Sequence, residues 1–118
     1  MAAGDLSERD RRSLDLAIRR AEQASRFEFS VYAGPVDGPD ARSFATRLHQ
    51  RLVAPARSVL VMVDPRRRVV EVVTGADVRR TLTDDEVETA VAAMTSTFAD
   101  GTLLEGLERG LAVLAGHA

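Results

Sequence analysis

The densest collection of groups able to do chemistry lies between Gly75 and Glu86, where Asp77, Asp84, Asp85 and Glu86 stand beside Arg79 and Arg80. Carboxylates at this density could supply oxygen ligands to a hard cation such as calcium or magnesium, with Asp77, Asp84 and Asp85 as the metal candidates, provided that several oxygens converge. The neighbouring arginines oppose a cation and suit a phosphate instead. Arg57, Arg79 and Arg80 could hold one together with backbone N–H groups near Gly75 or at a helix start at Thr83. Joined, these ideas describe a weak metal-dependent or acid phosphatase sited at the loop 75–85 end of the fold. Asp77 and Asp84 would act on a metal or a proton, and Arg57 and Arg79 on the phosphate. A structural reading competes with it. Asp84, Asp85 and Glu86 suit the first turn of a helix, where negative charge complements the helix dipole, and Asp77 can pair with an arginine. On that second reading no cofactor is expected.

Other chemistries have less to build on. The chain contains no cysteine, which removes thiol nucleophiles, disulfides and thiolate metal sites. His49 borders an apolar stripe and His117 stands at a chain end expected to fray, and neither has an acidic residue at metal-ligand spacing. No G-x-S-x-G elbow is present, and Ser58 is the one serine near the acidic segment. Arg66, Arg67 and Arg68 form a basic run without interleaved aromatics, the pattern of a solvated hairpin tip. Gly106 and Gly110 are spaced as G-x-x-x-G, but Glu105, Glu108 and Arg109 make that segment amphipathic. Close packing against a sheet explains the glycines better than membrane dimerisation does.

The elements that must position these groups follow from periodicity. Ser7 can cap a helix whose Leu14, Ala17, Ile18 and Ala21 share one face, with Glu8–Arg12 and Asp15–Arg19 as supporting pairs on the other. Phe27 to Ala33 alternates in strand fashion, with Tyr32 on the polar side and expected to be covered by a helix. Gly34, Pro35, Gly38 and Pro39 punctuate a loop before a second helix with the stripe Ala41, Phe44, Ala45, Leu48 and Leu52, which Pro55 should close. Val59 to Val63 reads as a central strand and Val69 to Val73 as its hairpin partner, joined by a tight turn at Asp64-Pro65-Arg66-Arg67. Thr83 with Glu86, and Thr102 with Glu105, are capping-box patterns that open two further helices, the first ending at Gly101. The order αβαββαα predicts a three-layer α/β/α sandwich over a small mixed sheet. The first two strands should run parallel through a right-handed crossover. Arg26, Arg57, Ser58 and residues 75–85 then meet at one end of the sheet, and Gly34 to Asp40 meets the Asp64 turn at the other.

A length of 118 residues fits one domain over 1–118. Sixteen basic residues, all arginine, against eighteen acidic ones leave a net charge of -2, too little field to draw in nucleic acid or an anionic membrane. Met1 to Asp10 carries no apolar leader, and Val59 to Val63, the longest strongly apolar run, is far too short to cross a bilayer, so a cytoplasmic protein without direct membrane insertion is expected.

Several local motifs resemble the TPM domain superfamily over nearly the whole chain. They are Leu6-Ser7 before the first helix, Phe29-Ser30-Val31, Val59 to Val63 with its basic hairpin, Val70 to Gly75 through Leu82-Thr83-Asp84, and Phe98 to Gly101 with Glu105-Gly106-Leu107. Ser30 to Gly34, Leu48-His49 and Val63-Asp64-Pro65 look closer still to an uncharacterised actinobacterial branch related to it. The resemblance implies the fold derived above and a superfamily in which some plant members serve photosystem repair with weak acid phosphatase activity, some bind calcium, and others are membrane-tethered accessory proteins. Members often place Asp-Asn-Gly before the strand matching Val59 to Val63, with carboxylates of that loop in the proposed ion or phosphatase site. Here the matching stretch is Ala56-Arg57-Ser58. An arginine in place of a carboxylate removes a cation ligand and adds a repelling charge. Asp84 matches the superfamily's acidic residue after the loop, while Asp77 only occupies the equivalent loop. The expectation is therefore a non-catalytic TPM-like binding or scaffold module with an unidentified protein partner, itself membrane-associated in some settings, and the phosphatase is the alternative. A protein-interaction role through an exposed strand edge or the Gly34 to Asp40 loop is a third reading.

Overall fold

The computed structural model describes residues 6–118. Ser7 caps α1 (Glu8–Ser25), its hydroxyl accepting from Asp10 N–H while the Asp10 carboxylate accepts from Ser7 N–H. β1 (Glu28–Ala33) follows, then α2 (Ala41–Gln50), β2 (Ser58–Asp64), β3 (Val69–Thr74), α3 (Asp84–Asp100) and α4 (Leu103–His117). The order αβαββαα is the expected one, with two single 3-10 turns added, Pro55–Arg57 before β2 and Val78–Arg80 after β3. Pro55 therefore opens a turn rather than closing α2, which ends at Gln50.

The sheet has the order β1-β2-β3, with β1 and β2 parallel and β2 and β3 antiparallel. Its buried centre is β2, in which every residue from Ser58 to Asp64 is shielded from solvent. Phe29, Val59, Val61, Val63 and Val72 point to one face, where α1, α3 and α4 bury Leu14, Ala21, Ala90, Met94, Leu107 and Leu111 against them. On the other face α2 lies alone over Leu60, Met62 and Val73, contributing Ala45, Phe44 and Leu48. This is the three-layer sandwich. Tyr32 is covered as expected, its ring 5.7 Å from that of Phe44 and its hydroxyl donating to the Pro35 carbonyl at 2.7 Å.

Two local expectations are corrected. Gly106 and Gly110 do not approach the sheet. A side chain at Gly106 would meet the Phe98 ring and one at Gly110 the Met94 side chain, so both glycines let α4 close onto α3. The pairs Glu8–Arg12 and Asp15–Arg19 do not form ion pairs among the described residues. Long side chains on an open helix face gain little from pairing in water.

Candidate functional site

At the amino end of β2 the structure gathers the residues on which phosphate or metal chemistry would depend, and each already has a structural partner or faces open solvent. Arg79 lies in the turn after β3, where its guanidinium donates to the Thr74 carbonyl. Arg57 donates to the Arg26 carbonyl at 2.6 Å and sits over the Phe27 ring at 5.9 Å, which ties the start of β1 to the turn before β2. Asp77 pairs with Arg80 at 3.9 Å, a loose and exposed contact. Asp84 and Asp85 are exposed in the first turn of α3, where their charge complements the helix dipole. Among the described residues no group of three or more His, Asp or Glu side chains is arranged to hold a metal ion. Gly75 lets the loop close in on its neighbour. A Cβ there would overlap the carbonyls of Pro55 and Ala56, so the loop lies directly on the 3-10 turn before β2.

Glu86 completes the capping box of α3. Its carboxylate accepts from Thr83 N–H at 2.9 Å, and the Thr83 hydroxyl accepts from Glu86 N–H at 3.2 Å. The hydrogen bond from Thr83 N–H is the largest influence on the Glu86 carboxyl, and with His117 nearby it holds the group below its usual value despite partial desolvation. His117 is no frayed end: it belongs to α4 and places Nδ1 2.8 Å from Glu86, binding the end of one helix to the start of another. Two residues so far apart in sequence carry no spacing signal. His49 is buried in α2, with Nε2 3.0 Å from the Ser58 carbonyl, so that nitrogen carries the proton and donates. Ser58 is buried as well, its hydroxyl donating to the Ala54 carbonyl at 2.7 Å.

The other end of the sheet holds a buried polar residue that the sequence presented only as a turn former. Asp64 is 2% exposed and accepts from Val36 N–H at 3.0 Å, Arg66 N–H at 3.1 Å and Arg67 N–H at 3.3 Å. Burial on its own would raise this carboxyl, but the backbone donors and the Arg67 charge outweigh it and hold the group below its ordinary value. Arg67 in turn donates to the Gly38 carbonyl at 2.8 Å, so the hairpin tip is anchored to the 34–40 loop rather than wholly solvated.

The two sheet edges differ. On β3 the outward carbonyls of Val72 and Thr74 accept from Arg42 and Arg79, and Glu71 pairs with Arg42 at 3.7 Å. On β1 the outward N–H of Phe29 donates to Glu22 at 3.1 Å. Gly34 N–H donates inward to Val63, so by alternation the backbone groups of Val31 and Ala33 face outward, and Val31 has no partner there among the described residues. Beside that stretch runs a cavity of about 240 Å³, with Leu14 and Ile18 in its wall and Arg11 and Asp15 at its rim. A larger cavity, of about 510 Å³, lies at the carboxyl end of β2. Neither is lined by Arg57, Asp77, Arg79 or Asp84.

A protein family described as Domain of unknown function (DUF5130) matches residues 3–115. Two proteins of Mycobacterium tuberculosis, both described as uncharacterized, are 31% identical to the chain over 103 residues, or 87% of it. The chain spans 61% of the length of these curated relatives. Among solved structures, the BA42 protein of Bizionia argentinensis superposes with a TM-score of 0.86 at 19% identity, covering 99% of this chain and 83% of that one. The N-terminal domain of a P. gingivalis protein gives a TM-score of 0.82 at 21% identity, over 97% of this chain and 76% of its own. The N-terminal domain of the cg2496 protein of Corynebacterium glutamicum gives 0.74 at 17% identity, over 97% and 75%. At these identities the likeness is one of fold.

Proposed function

The chain belongs to the family described as Domain of unknown function (DUF5130), and we propose that it works as a non-catalytic, TPM-like binding or scaffold module whose partner is a protein. The observation that carries this reading is the commitment of the candidate groups to the fold. Arg57 and Arg79 donate to backbone carbonyls, and Glu86 caps α3 and holds His117. Asp77 turns to Arg80, while Asp84 stands exposed at a helix start. A phosphatase would need Asp77, Asp84, Arg57 and Arg79 to converge on one phosphate, whereas Arg57, Arg79 and Asp77 each have a partner of their own within the fold. The surface offered to a partner is the outer edge of β1 around Val31, where an extended segment of the partner protein would add a strand. Arg42 and Arg79 guard the opposite edge.

A thermal-shift titration with calcium, magnesium, manganese and zinc tests the non-catalytic part. A ligand that binds only the folded state raises the melting temperature, by an amount equivalent to about 2.7 kcal/mol at a hundred times its dissociation constant. The expected result is no saturable rise at millimolar metal. A rise that disappears in Asp84→Ala, accompanied by hydrolysis of a phosphate monoester, would restore the phosphatase in place of the module.

A further inference from the structure

The geometry points to a binding site for an amphipathic anion, with an apolar body and a carboxylate or phosphate head, in the cavity at the carboxyl end of β2. The cavity measures about 510 Å³, within the range of small-molecule sites. Its walls come from three places: Val63 and Val70 of the hairpin, Phe98 near the end of α3, and Leu103 at the start of α4. These side chains leave apolar surface to be covered. Arg68 is the charged residue in the lining.

Arg68 is unusual in a second respect. Its backbone has φ 54, the left-handed region, where a β-carbon is a steric burden and glycine or asparagine is the ordinary occupant of a hairpin turn. An arginine at this position goes against the local preference of the turn. The adjacent Arg67 is bound to carbonyls of the 34–40 loop, whereas Arg68 makes no hydrogen bond or ion pair among the described residues. A solvent-exposed guanidinium at the wall of a mainly apolar cavity is matched by a carboxylate or phosphate whose apolar remainder lies along Phe98 and Val70. The location agrees with the general placement of ligands in α/β sheets, outside the carboxyl ends of parallel strands, here β1 and β2. It is at the opposite end of the sheet from Asp77 and Asp84 and separate from the free edge of β1.

The test uses dodecanoate and dodecyl phosphate as probes, with dodecanol and dodecyltrimethylammonium as the neutral and cationic counterparts, all below their micelle concentrations. Binding is followed by chemical-shift changes of backbone amides. Saturable shifts at Val70, Phe98 and Leu103 are expected with the anions, and which head group binds tighter separates a carboxylate ligand from a phosphate one. In Arg68→Gly the melting temperature should not fall, because the left-handed turn loses its β-carbon, yet anion affinity should drop about tenfold, the effect of one charge-assisted hydrogen bond. Dodecanol binding should be unchanged by that substitution. Ala99→Trp, which fills the cavity from its exposed rim, should abolish binding of all four probes. The proposal is overturned if no probe binds, if the cation binds as well as the anions, if Arg68→Gly leaves anion affinity intact, or if the shifts map elsewhere.

Discussion

Replacing Asp64 by asparagine keeps the volume of a buried side chain and removes only its charge and one acceptor. In the structure one carboxylate oxygen accepts from Val36 N–H, and the other accepts from both Arg66 and Arg67 N–H. Asparagine has one acceptor. The less costly orientation keeps the two turn bonds and sets an NH2 group against Val36 N–H, which leaves a buried donor unsatisfied and weakens the remaining pair. One lost bond to a charged group with an orphaned partner costs about 2–3 kcal/mol, or roughly 10 °C in melting temperature for a chain of this length. The pH dependence gives the sharper test. The folded-state carboxyl lies below its ordinary value of 3.8, so its contribution is fully present above that value and is lost as pH falls through the folded one. Asp40 and Glu86 are also held low, so wild type and variant both weaken in acid, and only their difference isolates Asp64. Urea unfolding followed by circular dichroism from neutral pH down to about pH 3 should show a gap that is widest at neutrality and narrows by up to about 1 kcal/mol in acid. Equal stability at neutral pH, or a gap that stays constant in acid, would show that the charge of Asp64 does not join the 34–40 loop to the hairpin.

Glycine substitutions should rank by what can move. In Gly75→Ala the new carbon meets backbone at Pro55 and Ala56, for about 3 kcal/mol or more, while in Gly110→Ala it meets the flexible Met94 and gains helix propensity, for about 1 kcal/mol or less, both read by urea unfolding. Gly106→Ala, against the Phe98 ring, should fall between them. The double variant Arg42→Ala, Arg79→Ala frees the outward carbonyls of Val72 and Thr74 and should raise self-association, read by light scattering at matched folded fraction. Unchanged scattering would remove the edge-guarding role assigned to these arginines.

Periodicity and capping patterns made the element order and layers legible because each signal was local: Thr83 with Glu86 and Thr102 with Glu105 are three residues apart, and the alternation of β1 lies within one strand. The sequence was silent where partners are remote. Asp64-Pro65 reads as a turn whether or not Asp64 also reaches Val36, 28 residues away. Likewise Glu86 shows its cap but not His117. The glycines of α4 were recognisable as close-packing positions, yet spacing along one helix cannot tell a sheet from a neighbouring helix as the packed surface, and the contact was with Phe98 and Met94 of α3. For the acidic segment, residue types were visible but not the directions of their bonds, and directions separate a site from a scaffold.

Those directions have a common physical cause. In a three-stranded sheet two of the three strands are edges, so outward backbone groups must be paired by side chains or left to water. The planar guanidinium suits this task because it can reach a carbonyl while its stem lies along apolar surface. Arg42, Arg57, Arg67 and Arg79 all donate to main-chain carbonyls, and Glu22 takes a main-chain N–H of β1. Charged residues therefore collect at strand ends and edges of so small a sheet for structural reasons, and such a cluster is weak grounds for catalysis. A group left out of this closure is more informative. On that criterion the Val31 stretch of β1 stands apart, offering backbone to a strand, while Arg68, one of several arginines without a bonded partner among the described residues, is set off by its place in the wall of the larger cavity, where it offers a charge to an anion.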